Sequence, residues 1–254
     1  MLNNPTLETL RALKLQGMAA AFEEQLQNPS TASLAFEERI GLLVDRERLH
    51  RENGRTTRLL RHARLKFSQA AVEDINYRYP RQMDAATVRS LTSSQWVVEH
   101  RGILLTGPTG IGKTWLAEAL VQKACRDGYS VLYRPAAKLF RDLAGARADG
   151  SLGRSLDAIA RTDVLLVDDF AMAPLNDSER RVFLEIADDR YSRRSTVLTS
   201  QLPVASWHAQ IGDPTIADSI LDRLVHNAYR IEMNGESMRR KNKPGDAEAN
   251  GGRP

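Results

Sequence analysis

The octapeptide Gly107-Pro108-Thr109-Gly110-Ile111-Gly112-Lys113-Thr114 fits the pattern G-x-x-x-x-G-K-[ST]. No other stretch restricts the fold as much. The three glycines let the backbone curl so that its N–H groups point inward, toward phosphate oxygens. A helix starting near Lys113 lays its positive end on the same anion. Lys113 then reaches the β and γ phosphates as a point charge, and Thr114 offers its hydroxyl to Mg²⁺. An octapeptide can arise by accident as a plain glycine-rich turn, so context decides. Ile103, Leu104 and Leu105 supply a strand before the loop, and residues 115–124 supply an amphipathic helix after it. The loop is therefore read as a nucleotide site.

Such a loop needs a partner acid at the end of a neighbouring buried strand. Val164-Leu-Leu-Val-Asp168-Asp169-Phe170 provides four apolar residues and then two carboxylates. Asp168 is expected in the Mg²⁺ shell, and Asp169 is expected to orient or deprotonate an attacking water. Solvated acids at a strand end are common, and the pairing with the phosphate loop is what favours the catalytic reading. Thr199-Ser200-Gln201 closes the next apolar run and offers polar groups to a γ-phosphate or the water, although hydroxyls there are also ordinary caps.

From residue 102 onward short apolar runs alternate with helical stretches. The strands are expected at 102–105, 131–133, 164–167, 196–199 and 229–232, in βα units with a mostly parallel sheet. Residues 1–68 read as a small all-α region. Leu15, Met18, Phe22 and Leu26 lie on one helical stripe, and Asn28-Pro29-Ser30 ends it. Ser33 is expected to cap a second helix with Phe36, Ile40, Leu43 and Val44 inward, and Gly54 to separate a third short one. Residues 69–101 read as a connector, with a break at Tyr79-Pro80-Arg81 and a short helix after Asp84. The expected domains are 1–68, the connector 69–101, the nucleotide-binding domain 102–240 and a polar, disordered tail 241–254.

Between Arg46 and Lys66 eight basic residues face only Glu47 and Glu52. Arg48, Arg51, Arg55 and Arg58 are spaced three, four and three apart, so they share a helix face, and Arg61 continues the run. A stripe of this kind can neutralise phosphates along a duplex; the plain alternative is a solvated face. The net charge of +4 adds a weak general hint of a polyanionic partner.

Composition closes several other routes. No window approaches the roughly 18 apolar residues of a membrane span, and residues 1–5 lack the pattern of a signal peptide, so a cytoplasmic protein with no membrane partner is expected. Cys125 is the only cysteine, which excludes a disulfide framework and a Cys-based zinc site. The five histidines show no HExxH spacing.

The phosphate loop, the VLLVDDF strand, the stretch TSQLPVASWHAQIGDPTIADSILDRLVHNAYRIEMNGESMR and the opening LRALKLQGMAAAFEEQ together resemble the IstB-like ATPases. These AAA+ helpers of bacterial insertion sequences are similar to the helicase loader DnaC and, more distantly, to the initiator DnaA. The likeness spans about residues 5–240, and its most specific part runs from Thr199 to Arg239. It implies an AAA+ P-loop core with a five-stranded parallel sheet in the order 5-1-4-3-2, preceded by the helical domain. It implies ATP and Mg²⁺ as cofactors, homo-oligomers with ATP sites at subunit interfaces, assembly on duplex DNA, and a partner transposase directed to target DNA. It assigns Arg223 as an arginine finger acting on a neighbouring subunit, Arg239 as a second sensor, and Ser200 as the first sensor with Gln201 as its alternative. The acidic pair is Asp-Asp where the wider AAA+ pattern has Asp-Glu, which predicts slow hydrolysis. A full helical lid is missing after the last strand, so Arg239 is expected to act from a short segment.

Three other readings compete with this one, the first being a non-hydrolysing scaffold that uses ATP only as assembly glue, which Asp169 keeps open. A helicase loader would grip single strands, for which aromatic platforms are usual; only Phe67 stands beside the basic run. A small-molecule kinase would carry an arginine-rich lid, which is not evident.

Overall fold

The computed structural model describes residues 5–238, apart from the side chain of Ala32. It divides between Arg58 and Leu59 into two compact units.

In the second unit all five expected apolar runs are strands: β1 (Gly102–Thr106), β2 (Val131–Pro135), β3 (Val164–Asp168), β4 (Ser195–Ser200) and β5 (Ala228–Glu232). They form one parallel sheet in the order β2-β3-β4-β1-β5. This is the order expected from the resemblance, read from the other edge. The central strands are apolar almost throughout because helices cover both faces. Alternate residues feed two cores. Ile103, Leu105, Val164, Leu166 and Val197 pack with Leu116, Leu120 and Ala124. Leu104, Leu165, Val167 and Leu198 pack with Phe140, Phe170, Phe183 and Trp207 on the other face.

The chain reaches this sheet through three helices that start in the first unit or follow it: α3 (Phe36–Ala63), whose last turn belongs to the second unit, then α4 (Ala85–Leu91) and α5 (Gln95–Val98). Asp84 caps α4, accepting from the Ala86 N–H at 3.0 Å, as its position suggested. The segment expected to be a connector is more than that. Val72, Ile75, Val88, Leu91, Trp96 and Val97 are all buried in the first core, so the second unit begins at Leu59 rather than near residue 102.

The remaining helices are α6 (Lys113–Arg126), α7 (Ala136–Ala148), α8 (Leu152–Arg161), α9 (Asp177–Arg190), α10 (Trp207–Ile211) and α11 (Pro214–Val225). Asn176 and Glu179 form a reciprocal capping box on α9. At its far end the buried Arg190 donates to the carbonyls of Ile159, Thr162, Asp163 and Ser195 and to Thr196 Oγ1. It ties α8 to the entries of β3 and β4, and its charge is matched by carbonyl dipoles.

The first unit holds α1 (Pro5–Ala12), α2 (Gln16–Gln27) and the beginning of α3. Its packing departs from the bulky stripes expected. On α2 the buried residues are Gly17, Ala19, Ala21 and Gln25, while Leu26 is exposed. On α3 Leu43 and Glu47 are buried, whereas Phe36, Ile40 and Val44 are exposed. A Cβ on Gly17 would come 2.6 Å from the Arg46 carbonyl and 2.7 Å from Glu47 Cα. The helices therefore touch backbone to backbone through small residues, and this sets the rotation of both. Leu15, the N-cap of α2, offers no side-chain acceptor. Glu47 replaces it, accepting from the Gly17 and Met18 N–H groups at 2.8 and 3.1 Å. Neither punctuation expected for α3 holds. Ser33 lies in a 3-10 turn and donates to the Ser30 carbonyl, while Glu38 reaches back to the Ala35 N–H at 3.0 Å. Gly54 lies within one continuous helix, because an exposed helical glycine costs only about 1 kcal/mol.

The second-sensor residue Arg239 and the tail 241–254 lie outside the described residues.

Candidate nucleotide site

The phosphate loop leaves the carboxyl end of β1, and Asp168 ends β3, two strands away with β4 between them. Open parallel sheets bind ligands at this end. A cleft of about 460 Å³ opens here, lined by Thr109, Gly110, Gly112, Lys113, Thr114 and Trp115 together with Asp169, Gln201, Met238, Lys66 and Phe67. That volume suits a nucleotide-sized ligand.

The loop is held from beneath by the segment after β5. The Met233 N–H donates to the Thr106 carbonyl at 2.8 Å, and the Met238 N–H to the Gly110 carbonyl at 3.0 Å. Gly107 has φ +143°, and a Cβ there would meet the Met233 carbonyl at 2.0 Å, so no other residue fits. Ile111 is fully buried and pins the loop to the core. Lys113 donates from Nζ to the carbonyls of Gly107 and Pro108 at 2.7 and 2.9 Å, which folds its charge over the loop mouth.

Asp168 is buried amid hydroxyls. Its Oδ1 accepts from Thr114 Oγ1 at 2.8 Å and from Thr199 Oγ1 at 2.5 Å, and its Oδ2 from Tyr133 OH at 3.2 Å. Burial and the nearby Asp168 carboxylate push the Tyr133 hydroxyl pKa up, so it stays a donor. The adjacent oxygens of Thr114 and Asp168 are the hard donor set that Mg²⁺ prefers, and the site fits that ion. Asp169 is exposed to the cleft at φ +56°, a left-handed conformation that Asp tolerates better than most residues. Its N–H donates to Thr199 Oγ1 at 3.0 Å.

Of the two sensor candidates, Ser200 faces away from the cleft. It is buried, donates to the Phe170 carbonyl at 2.8 Å and accepts from the Leu202 N–H at 3.2 Å. The hydroxyl serves the turn after β4. The alternative, Gln201, lines the cleft and accepts from Thr109 Oγ1 at 2.6 Å.

The family described as IstB-like ATP binding protein matches residues 8–245. The chain belongs to that family. It is 47% identical over 240 residues to an insertion sequence ATP-binding protein, y4pL, of Sinorhizobium fredii, covering 94% of this chain and 98% of that one. It is also 47% identical over 209 residues to the insertion sequence IS1162 ATP-binding protein of Pseudomonas fluorescens, covering 82% and 90%. Among solved structures, the DnaC helicase loader superposes with a TM-score of 0.54 at 19% identity, over 65% of this chain and 97% of that one. That likeness concerns the fold, which is AAA+.

In this IstB-like chain Arg223 is not among the residues that line the cleft. Arg223 lies on α11 beside Gly102 and Thr196, at the amino end of β1 and β4. It is ion-paired through Nε with Asp188 and donates from Nη1 to the Ser219 carbonyl at 2.8 Å. Arg48, Arg51, Arg55, Arg58 and Arg61 are all exposed on α3. Arg51 donates to Glu47 at 2.7 Å, so Glu47 both caps α2 and holds one arginine of the stripe. The Arg51 hydrogen bond, with help from the Gly17 and Met18 N–H groups, lowers the Glu47 pKa. Among the described residues no helix is long and apolar enough to cross a membrane.

Tyr133 is a site residue that motif reading missed, and Thr199 was read only as one polar group of a strand end, not as a partner of Asp168. Each reaches Asp168 from a different strand, and no local pattern marks that contact. The alternation of β2 gave the one available signal, because it turns Tyr133 to the same face as Val131.

Proposed function

We propose that this chain is an ATP-dependent, DNA-binding helper of insertion-sequence transposition, with ATP hydrolysis as its assembly switch. The observation that carries the reading is the Thr114–Asp168 oxygen pair at the mouth of the phosphate loop, in a chain whose relatives are named as insertion-sequence ATP-binding proteins. Bound Mg²⁺ would neutralise charge on the β and γ phosphates. The protein's own contribution is to grip and orient. The loop N–H groups and Lys113 hold the phosphates, Gln201 and Thr109 border the terminal one, and Asp169 orients a water and takes its proton. The oxygen of that water bonds to the γ-phosphorus as the bond to the β–γ bridging oxygen breaks, releasing ADP and inorganic phosphate.

Arg223 stands at the far end of its own sheet, so it is assigned to a neighbouring copy's site, where it would stabilise charge on the transferring phosphoryl group. ATP then favours a homo-oligomer. The exposed arginines of α3 grip duplex phosphates without reading sequence. Movement of an insertion sequence requires a transposase, the partner that the assembled helper would direct to target DNA.

The test is binding to labelled duplex and single-stranded DNA of equal length, with ATP and Mg²⁺. Duplex preference with assemblies larger than a dimer, lost on chelation of Mg²⁺, is the expected outcome. Preference for the single strand would replace the reading with a helicase-loader role.

A further inference from the structure

Lys66 belongs by sequence to the basic run, yet it stands in the wall of the nucleotide cleft with Lys113, Thr114, Asp169 and Gln201. Its ammonium rests 5.4 Å from the centre of the Phe67 ring, an aromatic face that orients a cation at little cost in hydration. The backbone that carries it is fastened in place. The Phe67 N–H donates at 2.5 Å to Oε2 of Glu118, a fully buried carboxylate on α6, the helix that begins in the phosphate loop. Oε1 of Glu118 has no hydrogen-bond partner among the described residues.

A buried, half-satisfied carboxylate is expensive. An apolar residue would fill the same space more cheaply, but it could not hold the Phe67 N–H and so could not fix where Lys66 projects. The charges of the cleft point the same way. Its own side chains supply one lysine at the loop against Asp168 and Asp169, and a bound nucleoside triphosphate adds several further negative charges. A second cation from the same chain offsets that excess before any neighbour contributes.

We propose that Lys66 is a nucleotide-binding residue, a second lysine for the phosphate chain of ATP, and that Glu118 is the positioning residue that holds it there. The inference rests on the ATP-site reading above. It removes Lys66 from the DNA-binding stripe and makes the segment just after α3 part of the ATP site.

The experiment is calorimetric titration of the full chain with ATP and Mg²⁺, without DNA. Lys66→Ala is expected to weaken ATP binding about tenfold, the scale of one charge-assisted hydrogen bond, and Lys66→Arg to retain most of the affinity. Glu118→Ala is expected to reproduce the loss, while Glu118→Gln, which still accepts from the Phe67 N–H, retains affinity. Duplex binding without nucleotide should keep its salt dependence in Lys66→Ala. Unchanged ATP affinity in Lys66→Ala would overturn the proposal. So would a fall of about 0.9 in the salt slope of duplex binding, which would return Lys66 to the DNA stripe. Lys113→Ala separates the two levels of inference: if it too leaves ATP binding intact, the ATP site itself is misassigned.

Discussion

Thr199 bears no charge, yet it organises both acids of the site. Its hydroxyl donates to Asp168 and accepts from the Asp169 N–H, so a single oxygen sets the angle between the carboxylate proposed to face the metal and the one proposed to face the water. Thr199→Val keeps the branched shape and removes only that oxygen. Losses of about 10–100-fold are typical when such supporting bonds are cut, and a loss of that size is expected in Mg²⁺-dependent turnover, with ATP affinity nearly unchanged in titration. Glu118 yields a second prediction at this scale. Burial raises its pKa above the ordinary 4.5, against the opposing pull of the Phe67 and Lys66 N–H groups. The folded chain therefore keeps a proton that the unfolded chain releases. The stability contributed by Glu118 is complete below pH 4.5 and is lost as pH rises through the raised value. Glu118→Gln should then gain on the wild type between pH 4.5 and neutrality, as read by urea denaturation at both ends of that window. The phosphate loop and Asp168 were legible because their chemistry lies in contiguous residues. Tyr133 and Glu118 were not, because each acts on a partner distant in sequence, and Thr199 was legible only as a polar strand end, not as the partner of both acids.

At the scale of elements, the strands were legible and the helical packing was not. Continuous apolar runs such as Val164-Leu-Leu-Val betray a strand covered on both faces. Amphipathic stripes proved a poorer guide in α2 and α3, where the helices meet through Gly17, Ala21 and Gln25 rather than Phe22 and Leu26. Two glycine substitutions separate the roles of these residues. Gly17→Ala drives a methyl group against the Arg46 carbonyl and the Glu47 backbone. It should cost about 1–3 kcal/mol, as overpacking does. Gly54→Ala meets nothing within 4 Å and sits in an exposed helix, so it should stabilise by about 0.5–1 kcal/mol. Chemical denaturation of both variants reads the opposite signs. The basic face of α3 yields its own expectation. Replacing Arg55, Arg58 and Arg61 by alanine should weaken duplex binding across all sequences and lower the salt slope by about 0.9 for each phosphate no longer neutralised. Binding measured from low to moderate salt reads both effects.

Across the whole molecule, the groups proposed to handle ATP lie at opposite ends of one sheet. The phosphate loop, Asp168 and Asp169 lie at the carboxyl end, and Arg223 lies by Gly102 at the amino end. A chain cannot bring these together across its own packed core, so the proposed finger can act only on another copy. This arrangement predicts complementation between two inactive variants. Lys113→Ala should fail to hold ATP but keep its finger, and Arg223→Ala should bind ATP but lack the finger for its neighbour. Each alone should hydrolyse little. Mixed in equal amounts, they form interfaces in which an intact phosphate loop from one variant meets an intact Arg223 from the other. Random assembly makes about a quarter of all interfaces competent in this way, and turnover should recover to about that fraction of the wild-type rate. Phosphate release measured across a range of mixing ratios checks this, with a maximum at equal amounts. A flat response, equal to the sum of the separate variants, would confine Arg223 to its ion pair with Asp188 and leave the ATP site without a contribution from its neighbour.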